Sequence, residues 1–215
     1  MEKLLKTLQQ FGTSTISDAM DKLGIECACH GIKPIDINFQ MIGRAFTVKY
    51  GPVGTEKGTV GDFVDDVKPG EIVVLDNGGR TDCTVWGDIM TSYAHKHEIA
   101  GTLINGVSRD TNRVLELNYP IFNVSHYMRT GKDRVQVDAV NIPVTVASIR
   151  VRPGDIIIGD ADGVVVIPSE LGEEVAKIAA HIEEAENNIR QAVLAGERLV
   201  DARIKFHYHQ LQTKE

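Results

Sequence analysis

Glu71-Ile72-Val73-Val74-Leu75-Asp76, Gly101-Thr102-Leu103-Ile104-Asn105-Gly106 and Ile121-Phe122-Asn123-Val124 decide the fold of this 215-residue chain. Each is a short, nearly continuous apolar run, the pattern of a strand buried on both faces. Pro69-Gly70 turns the chain into the first run and Pro120 opens the third, while Asn77-Gly78-Gly79 is expected to end the first. Between the runs, helical spacing predicts a helix over residues 82–97, with Val85, Ile89, Met90 and Tyr93 on its core face. A second is predicted over residues 110–117. Strand, helix, strand, helix, strand is the signature of parallel strands joined by right-handed crossovers.

Upstream, residues 43–50 read as a further strand. Before it lie two short helices, one with Leu4, Leu5, Leu8 and Phe11 on a face, the other with Ile16, Ala19, Met20 and Leu23. Ser14 or Thr15 is the expected cap of the second, and Gly24 its end. After Arg134 the rhythm changes to short strands near residues 135–139, 144–149, 156–159 and 164–167. Pro153-Gly154-Asp155 and Asp160-Ala161-Asp162-Gly163 are the turns between them. A long helix over residues 169–195, stopped by Gly196, closes the chain. Its apolar stripe Val175, Ile178, Ala179 and Ile182 is wide enough to suggest cover by a second copy. A parallel sheet with helices, a second antiparallel layer and a terminal helix define the α/β class, arranged as an α/β/β/α sandwich. Neither a repeat nor a Pro/Gly/Ser-rich linker interrupts the chain, so residues 1–215 are expected to form a single domain.

With 42% hydrophobic and 25% charged residues, the composition is that of an ordinary globular protein. The net charge of −7 argues against nucleic acid as a partner, since phosphates require clustered Lys and Arg. It does not exclude a small anionic substrate, because a few local cations outweigh a net field. The start, Met1-Glu2-Lys3-Leu4-Leu5-Lys6, has no apolar core of a secretory signal. No run approaches the roughly 18 apolar residues of a spanning helix, so no membrane is expected. The three cysteines, Cys27, Cys29 and Cys83, are an odd number that fits no closed disulfide framework. The cytoplasm is the expected compartment.

Ligands of open α/β sheets bind beyond the carboxyl ends of the strands. Two such ends are rich in glycine and charge: Asp76-Asn77-Gly78-Gly79-Arg80, running on to Trp86-Gly87-Asp88-Ile89-Met90, and Asn105-Gly106-Val107-Ser108-Arg109-Asp110. Neighbouring parallel strands are expected to bring Asp88, Arg109 and Asp110 into one crevice. A carboxylate such as Asp110 is a hard oxygen ligand for Mg2+ or Mn2+, ions that take one or two protein ligands and keep several waters. A planar guanidinium such as Arg109 holds a carboxylate with two parallel hydrogen bonds. Backbone N–H groups of residues 87–90, near a helix start, attract the same group. From spacing alone, an adjacent Arg-Asp pair at a strand end is more often a surface ion pair or a helix cap than an active site.

The other polar groups have plainer readings. Cys27-Ala28-Cys29-His30 lacks the second half of a zinc pattern, so buried or loop cysteines are expected. His95 and His97, two apart, do not share a helix face and fit a helix end. His207-Tyr208-His209 reads as an exposed polar tail, and Asp160–Gly163 as a hairpin turn. Trp86 fits the core and a pocket wall equally, and Glu183, Glu184 and Glu186 read as a solvated helix face.

Gly78-Gly79, Gly87-Asp88-Ile89-Met90 and Gly106-Val107-Ser108-Arg109-Asp110 together resemble the 4-hydroxy-4-methyl-2-oxoglutarate aldolase family, which also includes the regulator of ribonuclease activity A (RraA). The family signature is an Asp, twenty intervening residues, Arg-Asp, two more and an acid, and Asp88 and Arg109 stand at that spacing. Ser17-Asp18-Ala19, Gly43-Arg44-Ala45-Phe46-Thr47-Val48 and the segment from Gly159 to Val166 are similar as well. The resemblance implies a swivelling β/β/α-type fold in a homotrimer or a dimer of trimers, with sites between subunits. It implies divalent-metal-dependent cleavage of small 2-oxo acids to pyruvate, by aldol cleavage or by oxaloacetate decarboxylation. Asp110 would hold the metal, Arg109 and residues 87–90 the pyruvyl group, and Asp88 would steady metal-bound water. One of Glu183, Glu184 and Glu186 would reach a neighbouring subunit's site. The non-catalytic ribonuclease regulator is the alternative. The chain departs from the signature at Arg113, where the family carries an acid. On the helix opened by Asp110, Arg113 either pairs with that carboxylate or offers a second fork to a dicarboxylic substrate.

Overall fold

The three apolar runs lie side by side as parallel strands in the computed structural model, which describes residues 2–211. In chain order the helices and strands are α1 (Glu2–Leu8), α2 (Thr13–Lys22), β1 (Lys33–Pro34), β2 (Met41–Pro52), β3 (Glu71–Thr84), α3 (Asp88–Lys96), β4 (Gly101–Ser108), α4 (Thr111–Glu116), β5 (Ile121–His126), β6 (Val135–Val140), β7 (Val144–Val146), β8 (Ile149–Val151), β9 (Ile156–Asp160), β10 (Gly163–Ile167), α5 (Gly172–Leu194) and α6 (Leu199–Lys205). The class is mixed α/β, with a central mixed sheet and a long C-terminal helix. The chain forms two compact units, Ala28–Ser169 and the pairing of Met1–Cys27 with Glu170–Glu215.

In the unit Ala28–Ser169 the sheet runs β1-β5-β4-β3-β2-β9-β10, with β6 also paired to β2. The β2, β3, β4 and β5 neighbours are parallel. Every residue of β4 is buried, as its unbroken apolar run requires of a central strand. Of the late strands, β6, β9 and β10 join this sheet, while β7 and β8 pair only with each other as a separate two-stranded sheet. With twelve residues β2 is about 40 Å long. Its first half pairs antiparallel with β9 and its second half with β6. The expected strand over 144–149 is instead a hairpin, β7 and β8, turning at Ala147, whose φ is 53°.

Two local expectations are corrected. Asn77-Gly78-Gly79 does not end β3. Gly78 and Gly79 take φ of 62° and 71°, a left-handed bulge that glycine makes at no steric cost. The register to β4 jumps from Asp76 to Arg80, and pairing resumes as far as Thr84. The helix expected from residue 82 therefore starts only at Asp88. Val85 is buried ahead of it, Met90 and Tyr93 are half-buried, and Ile89 is 80% exposed.

A buried polar cluster ties four strands together. Asp76, on β3, accepts hydrogen bonds from Lys49 Nζ (2.6 Å, β2), Asn105 Nδ2 (3.1 Å, β4), the Thr145 N–H (3.3 Å, β7) and the Gly78 N–H (2.9 Å). Burial by itself raises the pKa of this carboxyl. The four donors together outweigh burial and hold it below the usual carboxylate range.

In the other unit α5 packs against α1 and α2. Val175, Ala179 and Ile182 are fully buried and Ile178 is half-buried, so most of the stripe expected to need a second copy is covered within the chain. The cover was invisible locally because α2 is distant in sequence. The exposed apolar side chains lie farther on, at Leu194, Leu199, Val200 and Ile204. Glu183 and Glu186 are half-buried on the outer surface of α5, where both face Arg190, and Thr15 Oγ1 donates to Glu183 at 3.3 Å. His207 and His209 are exposed. The three cysteines are buried and form no disulfide. Among the described residues no helix is long and apolar enough to cross a membrane.

Candidate active site

Strand β4 runs two residues past its predicted end, so Arg109 and Asp110 leave the sheet directly at its carboxyl edge. Asp110 takes left-handed backbone angles, φ 58° and ψ 40°, ahead of α4. Such a conformation costs a non-glycine residue on the order of 1–2 kcal/mol and is least unfavourable for Asp and Asn. The turn swings the Asp110 carboxylate toward the start of α3. There its Oδ2 accepts from the Asp88 N–H at 3.0 Å and lies 3.2 Å from Arg109 Nε. Among the described residues, neither Oδ1 nor the Arg109 Nη atoms have a hydrogen-bond or ion-pair partner.

Gly87 makes this approach possible. A Cβ at that position would stand 2.8 Å from Asp110 Oδ2 and 3.2 Å from Arg109 Nε. Its carbonyl receives the first bond of α3, from the Thr91 N–H at 3.0 Å. The N–H groups of Ile89 and Met90 precede that bond and are orphan donors of the first turn. Behind the wall, the Trp86 carbonyl accepts from the Arg109 N–H at 3.1 Å, and the Thr84 hydroxyl lies 2.9 Å from the same oxygen. Trp86 is both things its sequence allowed. It is buried, with its indole N–H bonded to Thr91, and it lines a cleft.

Two cavities meet at Asp88. The larger, about 620 Å³, is walled by residues 58–65, the 84–90 segment, Tyr93, Arg109, Thr130 and Lys132. The smaller, about 370 Å³, is lined by Asp88, Asp110, Thr111, Asn112 and Arg113. Asp88, Arg109 and Asp110 thus come together as the sequence suggested. Arg109 faces the large cleft and Asp110 the small cavity, with Asp88 on both. Arg113 does not pair with Asp110, the first expectation, and it lines the small cavity beside that carboxylate. It leaves Asp110 alone, donating from Nε to Ser92 Oγ on α3 at 3.1 Å, and it pairs with Glu116 at 2.9 Å. Ser92 sits on α3, which packs against α4 and so brings its hydroxyl within reach of the guanidinium. Residues 58–65, Thr84, Thr130 and Lys132 carried no signal in the sequence, since only the sheet's pairing draws them to one place.

The donor set suits a hard divalent cation. Asp110 has a carboxylate oxygen without a partner among the described residues, it lines the smaller cavity of about 370 Å³ together with Asp88, and Mg2+ characteristically takes one or two carboxylates plus waters. Among the described residues no three His, Cys, Asp or Glu side chains converge as a ready cage, which is the coordination pattern of a zinc site instead.

The fold and this signature have counterparts. The chain belongs to the RraA-like family, whose Aldolase/RraA model matches residues 13–166. It is 37% identical over 98% of its length to protein DlpA of Legionella pneumophila, of which it spans only about a third (35%). It is 33% identical to the "Putative 4-hydroxy-4-methyl-2-oxoglutarate aldolase" of Halalkalibacterium halodurans, covering 85% of this chain and 84% of that one. Among solved structures, an uncharacterized protein from Pseudomonas syringae pv. tomato matches with a TM-score of 0.88 and 38% identity, covering 94% of this chain and 98% of that one. Streptomyces coelicolor RraAS2, described as an unusual member of the RNase ES inhibitor RraA family, matches with a TM-score of 0.80 and 26% identity, over 87% of this chain and 96% of that one.

Proposed function

We propose that residues 1–215 work as a single RraA-like domain that breaks carbon–carbon bonds in small 2-oxo acids, releasing pyruvate, with Mg2+ or Mn2+ as cofactor. One observation carries this reading. The Asp110 carboxylate is oriented by the Asp88 N–H and Arg109 Nε through one oxygen, and its other oxygen and the Arg109 Nη atoms have no partner among the described residues. The ion, held by Asp110 and by Asp88 through water, would supply the Lewis acid that stabilises negative charge as the bond breaks.

The chain's own groups have separate tasks. Arg109 holds the substrate carboxylate through its free fork, and the N–H groups of Ile89 and Met90 add donors on the same side. Gly87 keeps the approach to Arg109 and Asp110 open. Asp88 receives the proton of the C4 hydroxyl in aldol cleavage, directly or across a water. Decarboxylation of oxaloacetate needs no such base and should be the more robust activity. Ile89, 80% exposed on the wall of the cleft, supports a neighbouring copy covering this edge in a homotrimer or a dimer of trimers.

The decisive assay is pyruvate release from oxaloacetate and from 4-hydroxy-4-methyl-2-oxoglutarate, with and without Mg2+ or Mn2+. Metal-dependent release from either supports the lyase. Similarity to RraAS2 carries a second reading, a ribonuclease regulator without turnover. Tight ribonuclease binding together with no pyruvate from any 2-oxo acid would favour it.

A further inference from the structure

The proposed chemistry occupies the Arg109 end of the large cleft, about 620 Å³ in volume, and leaves the rest without a task. We propose that the wall formed by Val60, Val64, Met90 and Tyr93 receives an uncharged hydrocarbon group carried on C4 of the substrate. The molecule cleaved is then a 4-hydroxy-2-oxo acid with an apolar tail, and the second product is an apolar aldehyde. This deepens the lyase reading and rests on Arg109 holding the 2-oxo acid end. The step balances without a further reactant. The C3–C4 bond breaks and its electron pair moves toward the 2-oxo group. The C4 hydroxyl loses its proton to Asp88, and a proton returned to C3 completes pyruvate.

The wall begins beside Arg109. Gly87 caps α3, and a Cβ there would stand 3.2 Å from Arg109 Nε. Met90 and Tyr93 follow at three-residue spacing on one face of the helix, about 4.5 Å and about 9 Å farther along its axis. Both are half-buried and line the cleft, as do Val60, half-buried, and Val64, 8% exposed. Two contacts between residues 61–65 and α3 set the width. A Cβ at Gly61 would stand 3.0 Å from Met90 Sδ, so backbone and thioether already touch. The Tyr93 hydroxyl donates to Asp65. Val60 is pinned from behind, its carbonyl accepting from the buried Tyr50 hydroxyl at 2.6 Å.

The polar groups along this wall are already engaged. Asp65 takes the Tyr93 hydroxyl, Thr91 Oγ1 takes the Trp86 indole N–H at 2.9 Å, and Tyr50 takes the Val60 carbonyl. What the wall presents to a ligand is therefore hydrocarbon. Once Arg109 holds the 2-oxo acid, the charged side chains left on the cleft are Asp62, Asp65 and Asp88 against Lys132. A second anion would meet that excess of negative charge. An apolar tail needs no partner and is driven in by burial.

The test is calorimetric binding, with Mg2+ present, of 2-oxobutanoate, 2-oxopentanoate, 2-oxohexanoate and the six-carbon diacid 2-oxoadipate. These compounds lack the C4 hydroxyl, so binding is read without turnover. Affinity should rise about threefold with each methylene, making 2-oxohexanoate about tenfold tighter than 2-oxobutanoate and tighter than 2-oxoadipate. In Val60→Thr, which keeps the shape and adds a hydroxyl to the wall, the tenfold ratio should fall to about threefold. Val60→Ile should preserve it. Equal affinities along the series, as when a second copy of the chain fills the cleft, overturn the proposal and leave the lyase reading standing. So does 2-oxoadipate binding as tightly as 2-oxohexanoate, or an unchanged ratio in Val60→Thr. Failure of every 2-oxo acid to bind the wild type overturns both.

Discussion

Replacing Gly87 with alanine separates the site from the fold more cleanly than any charged substitution. The backbone there has φ −146° and ψ −168°, extended geometry that alanine adopts without strain. The added methyl would nevertheless lie 2.8 Å from Asp110 Oδ2, where ordinary contact begins near 3.4 Å, so the carboxylate must retreat by about 0.6 Å. Arg109 Nε, at 3.2 Å, must move with it or lose its partner. A misplacement of 1 Å costs catalysis up to about 100-fold, so a shift of this size predicts a loss of roughly 10- to 100-fold in kcat/KM. Alanine at a helix cap costs only about 1 kcal/mol against glycine, equivalent to roughly 2–4 °C in Tm for a chain of this length. Pyruvate release from oxaloacetate, followed alongside thermal melting, reads both quantities. Wild-type turnover in Gly87→Ala would refute the assignment of Asp110 and Arg109 to the reacting centre. A Tm loss above about 10 °C would show that Gly87 serves folding rather than access.

Four further outcomes follow from the same geometry. Asp110→Asn keeps a side chain tolerant of the left-handed turn but removes the charge, so metal-dependent turnover should vanish while the melting curve stays close to wild type; full activity would move the metal elsewhere. Arg109→Lys retains the charge and loses the fork, predicting a drop on the order of 100-fold or more in kcat/KM, and unchanged kinetics would mean that the substrate carboxylate is held by other groups. Arg113→Glu reverses two units of charge near the carboxylates; at about 8 Å in water this is worth about 2 kcal/mol to a divalent ion, cut to about 1 kcal/mol by physiological salt, so metal titration should show roughly fivefold tighter binding. Weaker metal binding with lost turnover would instead make Arg113 a substrate residue. Asp76→Asn should destabilise the protein by about 1–3 kcal/mol at neutral pH by unpairing Lys49 and its neighbours. Because the folded pKa of Asp76 is lowered, its stabilisation is present above the unfolded value near pH 4 and is lost as pH falls through the folded value. Denaturant melts should therefore show the gap between wild type and variant closing in acid, and a gap independent of pH would contradict the ionised cluster.

The parallel strands were legible in the sequence because a strand buried on both faces needs no partner to declare itself. The runs at 71–76, 101–106 and 121–124 could be nothing else once turns bounded them. The adjacency of Arg109 and Asp110 at a strand end, and their spacing from Asp88, were likewise fixed by covalent order. Tertiary structure decided whatever depends on pairing across the chain. Local chemistry read Gly78-Gly79 as a stop, but hydrogen bonds to β4 carry β3 through a bulge to Thr84 and delay α3 by half a dozen residues. Ile89 accordingly faces outward. Arg113 found Ser92, twenty-one residues away, in place of the carboxylate one turn before it. The cleft required residues 58–65, 84–90 and 130–132 to meet, which no local signal announces. Periodicity reports which face of an element is apolar. Which distant groups satisfy a given hydrogen bond or charge is a property of the assembled sheet, since those energies exist only once the strands have met.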